Sequence, residues 1–406
     1  MKFLLICTKY PTGPNDSYMT TELAGALVSQ GHDVSVAVID WDLPMGSASR
    51  RLKTAAGVDV LVIAPQGTKR LGRIVERITK WGLSSLLAQK EMARAFGNAN
   101  FDYILAWTPC VTVAHQLRWA KKKFQAPSML YVYDFFPYHH RSIGLVPGPL
   151  FSAALKAEEK LIAGFDVVGC NLPTNIEYLR RNYGIEADQK VVWTPLWTDI
   201  SRPASVDATA MRASFGLPAN KRIVVFGGQL TQGRGIEEML QVAVRARREQ
   251  PHLAFLFVGD GRLSTLVAEH AQQVDTNVHL VKRVPREKYL QLISACDLGM
   301  VATVPGVDSA SFPTKILDYL RANLPVVAAL EPHNDLRDLL VKWGVGRSVP
   351  VGDVNGLYAA VVEQMSAQLA PETMMERTQF CLEAVFDVRL AAAKAVEYLN
   401  KAPRKE

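Results

Sequence analysis

Five cysteines among 406 residues are few, odd in number and widely spaced, and most of them stand inside apolar runs. This pattern indicates neither a disulfide framework nor a zinc site. No segment approaches the ~20 consecutive apolar residues of a membrane-spanning helix. The apolar start at residues 1–7 leads directly into Lys9 without a small-residue cleavage pattern, so it predicts a first strand rather than a signal peptide. These absences favour a cytoplasmic protein with reduced thiols.

Internal repeats and low-complexity tracts are also missing. The chain has no basic stripe with interleaved aromatic residues and no recognisable nucleic-acid reader module, which argues against a nucleic-acid-binding protein. The hydrophobic fraction of 49% and the charged fraction of 21% are those of a folded protein. A chain of this length exceeds one ordinary core, so two domains of about 200 residues are expected. The stretch between Pro195 and Pro218 interrupts the pattern, and we place the domain boundary after residue 198.

Short apolar runs alternate with amphipathic segments in both halves, which predicts an α/β architecture with parallel sheets. The N-terminal half has predicted strands near residues 2–7, 33–39, 58–63, 102–106, 128–133, 166–170 and 190–193. The C-terminal half has predicted strands near residues 222–226, 253–258, 278–282, 298–302, 325–329 and 346–349. A long helical tail is predicted from Pro371 to about Lys401.

The net charge of +7 is unevenly distributed. Residues 1–198 hold 22 Lys and Arg against 16 Asp and Glu, whereas residues 199–406 hold 24 against 23. Part of the excess recurs at helical spacing between apolar residues, at Arg70, Arg73, Arg77 and Lys80. This pattern fits an anionic membrane surface or a pyrophosphate-bearing acceptor. It also fits a surface helix that packs its apolar side on the sheet and leaves its basic side in water.

Residues 223–235 carry the strongest functional signal. The apolar run 223–226 predicts a buried strand, and the loop after it holds four glycines together with Gln229 and Arg234. Glycines let the backbone approach an anion closely, and the N-terminus of the next helix favours negative charge. The segment therefore predicts a phosphate-binding loop.

Three later segments extend this pattern of strands, loops and helices. Residues 253–261 end in Gly-Asp-Gly, residues 279–286 end in a basic loop, and residues 311–329 predict a helix from near Pro313 that feeds another strand. In order and spacing they resemble the nucleotide-sugar-binding half of glycosyltransferase family 4, and residues 1–38 look like the first unit of that family. The resemblance spans nearly the whole chain.

The resemblance implies a GT-B fold, in which two Rossmann-like, doubly wound parallel-sheet domains face each other across a cleft. Residues 1–198 would bind the acceptor, and residues 199–385 would bind the nucleotide sugar. Residues 386–406 would form a helix that crosses back to the first domain. The family implies a retaining, metal-independent enzyme that needs no cofactor besides its co-substrate, a nucleotide diphosphate sugar.

The Pro-x-Lys segment at residues 313–315 resembles a subtype found in exopolysaccharide and lipopolysaccharide glycosyltransferases. Together with the basic charge of the N-terminal half, the resemblance implies a saccharide or polyprenyl-linked acceptor in the synthesis of a surface polysaccharide. The expected location is the cytoplasm, with peripheral binding to the inner face of the cell membrane.

For the pyrophosphate, the family uses an Arg and, five residues later, a Lys; this chain has Gln229 and Arg234 at those positions. Gln donates a hydrogen bond but carries no charge, so part of the electrostatic stabilisation must come from elsewhere. Lys315 is the first candidate for the compensating cation, and Arg283 is the second. The alternative is that Gln229 is a plain loop residue and Arg234 a solvated side chain.

The paired acids of the family fall on Ala310 and Asp318. Asp318 matches as a shortened second acid, which in the family contacts the ribose, whereas Ala310 has no carboxylate. Asp308 lies two residues away. In the Pro-x-Lys subtype, backbone N–H groups of a segment that includes Ser311 and Phe312 would bind donor oxygens instead. Otherwise Asp318 is an ordinary exposed helix acid.

In the first domain, Asp134 stands where the family ends a strand with His-Asp, and Tyr133 replaces the histidine. Asp134 is the expected polar group at the sugar, and His139 or His140 would take the role of the missing imidazole. The adjacent histidines make a poor metal site, since neighbouring loop residues rarely converge on one ion and no carboxylate motif accompanies them. Alternatively, His139 and His140 are surface loop residues without a role in catalysis.

Main-chain groups complete the predicted donor site. Gly13 follows the first strand, Gly228 lies in the phosphate loop, and Gly259 opens the Gly-Asp-Gly turn. Gly259, Arg283 and Val284 are expected to line the base pocket. The mechanism that the resemblance implies is front-face displacement, in which the leaving phosphate accepts the proton of the acceptor and no protein nucleophile is needed.

Other functions stay open at this point. A nucleotide-sugar 2-epimerase shares the fold but requires carboxylates and a histidine around the reacting carbons, which Ala310 disfavours. A catalytically inactive scaffold or regulatory protein would explain Gln229, Ala310 and Tyr133 together. A periplasmic-type sugar-binding protein would require an export signal.

Overall fold

The computed structural model describes residues 1–13, 18–66, 73–142, 146, 148–185, 189–304, 306, 309–367 and 370–403, with the backbone alone at 73–80 and 142. Contacts within the chain divide it into two compact units. Unit 1 comprises Met1–Pro195 and Val388–Glu406, and unit 2 comprises Leu196–Asp387. These borders lie close to the boundaries that the sequence suggested after residues 198 and 385.

Unit 1 is built on one eight-stranded sheet. Its strands are β1 (Lys2–Cys7), β2 (Asp33–Ile39), β3 (Arg50–Lys53), β4 (Asp59–Ile63), β5 (Tyr103–Trp107), β6 (Ser128–Val132), β7 (Val167–Cys170) and β8 (Lys190–Trp193). Their order across the sheet is β3-β4-β2-β1-β5-β6-β7-β8. Strands β1, β5 and β6 are buried almost throughout, as expected of parallel strands covered by helices on both faces.

The edge strand β3 departs from the expectation of purely parallel sheets. Arg50–Lys53 runs antiparallel to β4, whereas the other neighbouring strands of this sheet pair in parallel. Arg51 donates from Nε to Oδ1 of Asp59 at 2.9 Å. A four-residue run with three basic residues has no apolar pattern, so the sequence alone gave no sign of this strand.

Helices cover the sheet of unit 1, and the last helix of the chain is one of them. Numbered along the whole chain, they are α1 (Met19–Ser29), α2 (Arg73–Phe96), α3 (Ala114–Phe124), α4 (Tyr138–Ser142), α5 (Gly148–Ile162), α6 (Pro173–Asn182) and α15 (Val388–Asn400). Helix α15 packs against α1, and Gln30 donates from Nε2 to the carbonyl of Arg389 at 2.8 Å. The C-terminal helix therefore belongs to the first unit.

Unit 2 has a six-stranded parallel sheet. Its strands are β9 (Arg222–Gly227), β10 (Leu253–Val258), β11 (Val278–Val281), β12 (Leu298–Ala302), β13 (Val326–Leu330) and β14 (Gly346–Pro350), in the order β11-β10-β9-β12-β13-β14. The intervening helices are α7 (Ala208–Ser214), α8 (Ile236–Glu249), α9 (Ser264–Ala271), α10 (Arg286–Ser294), α11 (Lys315–Arg321), α12 (Leu336–Lys342), α13 (Val354–Ser366) and α14 (Pro371–Cys381). In such sheets ligands bind outside the carboxyl ends of the strands.

The predicted continuous tail is interrupted. A π-helical turn spans Leu382–Phe386 between α14 and α15, and Asp387 is extended with ψ of 122°. The amide of Thr198 donates to the carbonyl of Phe386 at 2.8 Å, and the Phe386 ring packs on Trp343 at 5.5 Å. Contacts with residues distant in sequence cause this break, so local pattern could not predict it.

The prediction of two α/β domains, each on a predominantly parallel sheet, is confirmed. Helix α11 begins at Lys315 rather than at Pro313, and Asn323 after it adopts a left-handed φ of 59°, as the predicted stop signal requires. In the described ranges, no helix is long and apolar enough to cross a membrane.

Candidate functional site

The loop after β9 lies directly against the loop after β10. Gly228 has a φ of 136° and Gly259 a φ of 150°, conformations that other residues rarely adopt. A Cβ on Gly259 would lie 1.8 Å from the carbonyl oxygen of Gly228. The amide of Gly228 donates to the carbonyl of Val258 at 2.8 Å, and that of Leu230 to the carbonyl of Asp260 at 2.9 Å. Glycine is therefore required where these backbones meet.

Lys315, the first residue of α11, extends its side chain over this loop. A Cβ on Gly228 would lie 2.2 Å from its Cε and 2.9 Å from its Nζ. The same Nζ is 5.3 Å from the centre of the Phe226 ring. The structure thus brings together the glycine turn and the lysine that the sequence suggested as the compensating cation.

Arg234 lies near enough to Lys315 to affect its protonation. Burial, and to a smaller extent the charge of Arg234, lower the pKa of Lys315 to about 8 against the opposing effect of the Asp318 carboxylate. Arg234 and Gln229 are both exposed on the loop before α8. Two cations that repel each other beside a glycine turn create a positive potential, which a bound anion would relieve.

Asp318 forms a bidentate ion pair with Arg286. Nη1 of Arg286 donates to Oδ2 at 2.9 Å, and Nη2 donates to Oδ1 at 2.6 Å. Asp318 is 8% exposed, so it is not the ordinary exposed helix acid of the alternative interpretation. Each of its oxygens already accepts one hydrogen bond, and a ribose hydroxyl would have to use the remaining lone pairs.

Arg286 is a site residue that was not predicted from the sequence, in contrast to Arg283 and Val284 of the same basic loop. Arg283 is exposed, and its main-chain N–H donates to Oδ2 of Asp260 at 3.3 Å. This contact links the loop after β11 to the loop after β10. The available signal for Arg286 was its place at the start of α10, where the helix dipole disfavours a cation and an anionic partner is needed.

The segment between β12 and α11 is held against the end of β13. Nδ2 of Asn334 donates to the carbonyl of Ser311 at 2.8 Å. Ala310 and Phe312 are 6% and 9% exposed. Because the Phe312 side chain is buried, only the main chain of this residue is available to contact a nucleotide sugar. Asp308 lies outside the described residues.

In unit 1, the structure places His140, rather than His139, beside Asp134. Nδ1 of His140 is 3.7 Å from Oδ2 of Asp134, and both histidines lie on the short helix α4, where they are partly buried. The amides of Tyr133 and Asp134 each donate to Oγ1 of Thr108 at 3.1 Å. This hydroxyl fixes the turn that presents the Asp134 carboxylate.

Glu158 on α5 is a second titratable group that the sequence analysis missed. It is fully buried, and its carboxylate accepts hydrogen bonds from the amides of Cys110 at 2.7 Å and Val111 at 2.9 Å. Burial raises the pKa of Glu158 to about 7 despite the opposing effect of these bonds, and the charge of Asp134 adds to the rise. A single acid on an amphipathic helix gives no sequence sign of such burial.

Other predicted positions can be placed only in part. Gly13 is exposed at the end of the first described range. Arg70 lies outside the described residues, and Arg73, Arg77 and Lys80 are described by their backbone within α2. Among the described side chains, no group of three or more His, Cys, Asp or Glu is placed to hold a metal ion.

Two family profiles match the chain one after the other. The profile described as Glycosyltransferase Family 4 matches residues 17–202. The profile described as Glycosyl transferases group 1 matches residues 221–367. The second match contains the phosphate loop and helix α11.

Known proteins are similar along most of the chain. WcaI of Escherichia coli (strain K12), named for a glycosyl transfer in colanic acid biosynthesis, is 24% identical over 367 residues, which are 84% of this chain and 86% of WcaI. Sucrose-phosphate synthase from Thermosynechococcus elongatus superposes with a TM-score of 0.72 at 18% identity over 98% of both chains. Anabaena HepE in complex with UDP superposes with a TM-score of 0.68 at 16% identity over 98% of this chain and 100% of HepE. These likenesses confirm the GT-B fold.

Proposed function

Because the chain belongs to glycosyltransferase family 4, we propose that it is a retaining enzyme that transfers a sugar from a nucleotide diphosphate sugar to a saccharide acceptor. The donor binds to unit 2, at the loops after β9, β10 and β11, and the acceptor binds to unit 1. The similarity to WcaI, which is named for colanic acid biosynthesis, favours a role in making a surface polysaccharide.

The observation that carries this proposal is the position of Lys315 and Arg234 at the Gly228 turn. A diphosphate would pair with both cations, and Gln229 would add a hydrogen bond. Charge that develops on the leaving phosphate is stabilised most by donors already held in place. The proposed step breaks the bond between the anomeric carbon and the phosphate oxygen while the acceptor oxygen bonds to the same face, and its proton passes to the leaving phosphate.

The remaining donor contacts follow from the neighbouring loops. Asp318, oriented by Arg286, is assigned to the ribose hydroxyls. Main-chain groups of Gly259, Arg283 and Val284 are assigned to the base, and those of Ser311 and Phe312 to oxygens of the donor.

The acceptor end is assigned to Asp134 and His140, with His139 next to His140, and to Gly13, which belongs to the same unit. The basic excess of residues 1–198 favours an acceptor with a pyrophosphate, such as a polyprenyl-linked saccharide. The same excess would attract the protein to the inner, anionic face of the cell membrane. We propose that no metal is required, since Arg234 and Lys315 supply positive charge at the leaving group.

Nucleotide binding is the first test. Melting temperatures would be measured with UDP, GDP and a panel of their sugar conjugates for the wild type, Arg234→Ala and Arg248→Ala. Arg248 is an exposed arginine at the other end of α8 and serves as the matched control. We expect one nucleotide to stabilise the wild type and the control, with affinity reduced about tenfold or more in Arg234→Ala because a charge-assisted contact is lost. Undiminished binding in Arg234→Ala would contradict the assigned phosphate loop.

Turnover is the second test, with the responding donor, an acceptor extract containing polyprenyl-linked saccharides and a chelator present throughout. We expect transfer that survives the chelator, and NMR should show the donor's anomeric configuration in the product. An inverted product contradicts the retaining mechanism. Absence of binding and transfer favours the inactive scaffold, whereas conversion of the donor to its C2 epimer without acceptor favours the epimerase.

A further inference from the structure

Glu331, the residue that follows β13, has a buried carboxylate of which one oxygen accepts a hydrogen bond from a described residue. It is 4% exposed, and its Oε2 accepts a hydrogen bond from Nδ2 of Asn334 at 2.9 Å. Its Oε1 is buried and has no hydrogen-bond partner among the residues that the structure describes. Since a buried acceptor without a partner is costly, an oxygen retained in this state indicates that something else donates to it.

Asn334 connects this carboxylate to the segment before α11. The same Nδ2 that donates to Glu331 also donates to the carbonyl of Ser311 at 2.8 Å, and Oδ1 of Asn334 accepts from the amide of Leu336 at 3.0 Å. Asn334 is 3% exposed, so its side chain is fixed by three contacts. Glu331 is thereby held one side chain away from the stretch that contains Ala310, where the acid of the family pattern is missing.

Glu331 follows strand β13, which belongs to the same sheet as the strand before the phosphate loop. Strand β13 pairs with β12, and β12 pairs with β9. The amide of Thr303, which follows β12, donates to the carbonyl of Ala329 at 3.0 Å. All three strands are parallel, so Glu331 and the Gly228 turn lie at the same carboxyl edge.

We propose that Glu331 binds the sugar of the nucleotide sugar, with its Oε1 accepting a hydrogen bond from a sugar hydroxyl, and that it supplies the carboxylate absent at Ala310. This inference rests on the proposed function. Asn334 is a positioning residue for Glu331, and the nucleotide itself makes no contact with either. The carboxylate determines which sugar is accepted, because only a ring with a hydroxyl at the right carbon donates to it.

A purely structural role for Glu331 makes a different prediction. The bond to Asn334 uses Oε2 alone, and a glutamine amide oxygen can still accept a hydrogen bond in that place. Glu331→Gln therefore keeps the brace on Ser311 and removes the charge. A carboxylate binds a hydroxyl more strongly than an amide oxygen does, so the substitution separates sugar binding from bracing.

The test uses the full chain and calorimetry with the nucleoside diphosphate and nucleotide sugar that stabilise the wild type. In Glu331→Gln, we expect unchanged affinity for the nucleoside diphosphate and affinity for the nucleotide sugar reduced about tenfold or more, the loss typical of a hydrogen bond to a charged group. Glu363→Gln, on the exposed side of α13, is the matched control and should alter neither affinity. Melting temperatures of all variants would be recorded without ligand.

Donors that lack single hydroxyls complete the test as a double-mutant cycle. One deoxy donor should bind the wild type about tenfold or more weakly than the full donor does, and the same deletion should cost clearly less affinity in Glu331→Gln. If each deoxy donor loses the same factor in both proteins, Glu331 does not contact the sugar and the inference is wrong.

The failures can be told apart. If the nucleoside diphosphate binds and Glu331→Gln reduces both affinities together with the melting temperature, the residue is structural and this inference falls while the proposed function stands. If no nucleotide binds the wild type, the proposed function falls and this inference falls with it.

Discussion

The affinity of unit 2 for a nucleoside diphosphate is expected to decrease as the pH rises above about 8. Burial and the charge of Arg234 lower the pKa of Lys315 to about 8 in the free protein. A bound diphosphate adds negative charge beside the ammonium and raises that pKa, so binding above pH 8 takes up a proton. Well below pH 8 the lysine is charged in both states, and its contribution to the affinity is constant.

The magnitude follows from the two pKa values of Lys315. With about 8 in the free protein and a return to the ordinary 10.5 in the complex, the affinity falls about tenfold between pH 7 and pH 9, which is about 1.4 kcal/mol. The free protein shows the opposite trend. Between pH 8 and 10.5 the unfolded chain holds more protons than the folded one, so the stability of the wild type relative to Lys315→Met rises across this window.

The assay is calorimetry at pH 7 and pH 9 in buffers of different ionisation enthalpy, with wild type, Lys315→Met and Lys342→Met. Lys342 is exposed on α12 and should behave as the wild type does. Comparison with Lys315→Met removes the contribution of the ligand's own titration. Equal pH dependence in the wild type and Lys315→Met, or no proton uptake at pH 9, would refute the assignment of Lys315 to the phosphate.

Three further predictions concern stability and are checked by chemical denaturation. Asp318→Asn should lower the free energy of unfolding by about 1–3 kcal/mol, because it removes the anionic partner of the partly exposed Arg286. An unchanged free energy of unfolding would show that the ion pair does not contribute to stability. Glu158→Gln should become more favourable relative to wild type by up to about 3 kcal/mol between pH 5 and pH 8. The folded-state pKa of Glu158 is raised from 4.5 to about 7, so between these pH values the unfolded wild type releases a proton that the folded protein keeps, and its stability falls until about pH 7. A pH-independent difference would contradict the raised pKa. Gly259→Ala should lower the free energy of unfolding by about 2 kcal/mol or more, because the new Cβ would collide with the carbonyl oxygen of Gly228. The control is Gly25→Ala on α1, whose added Cβ has nothing within 4 Å; it should be neutral or stabilising by ~0.5–1 kcal/mol. Equal effects of the two substitutions would refute the close approach of Gly259 to Gly228.

Most of the fold could be predicted because its strands are apolar runs between turns. Strand β10, Leu253–Val258, is apolar and buried at every position, and a short apolar run of this kind predicts a buried strand from the sequence alone. Strand β3 could not be predicted, since Arg50–Lys53 is stabilised by its neighbour β4 and not by its own pattern. The break at Asp387 likewise depends on a partner, Thr198, that is almost two hundred residues away.

The candidate site divides along a similar line. Lys315 and Arg234 could be found because glycines and a proline mark their loops in the sequence. Arg286, Glu158 and Glu331 could not be found, because their significance comes from burial and pairing. A sequence shows that an acid is present, but only packing shows that its oxygens are removed from water and which donors reach them.

The absence of the family's arginine at position 229 is consistent with where Lys315 lies. Residue 229 is next to Gly228, and the Lys315 side chain lies over that glycine. A third cation there would lower the pKa of Lys315 further, so a smaller fraction of the lysine would be charged near neutral pH. The charge of Arg286 is paired with Asp318. With Gln229 in place, the pKa of Lys315 is about 8, and we expect a diphosphate bound between Arg234 and Lys315 to relieve the repulsion between these two cations.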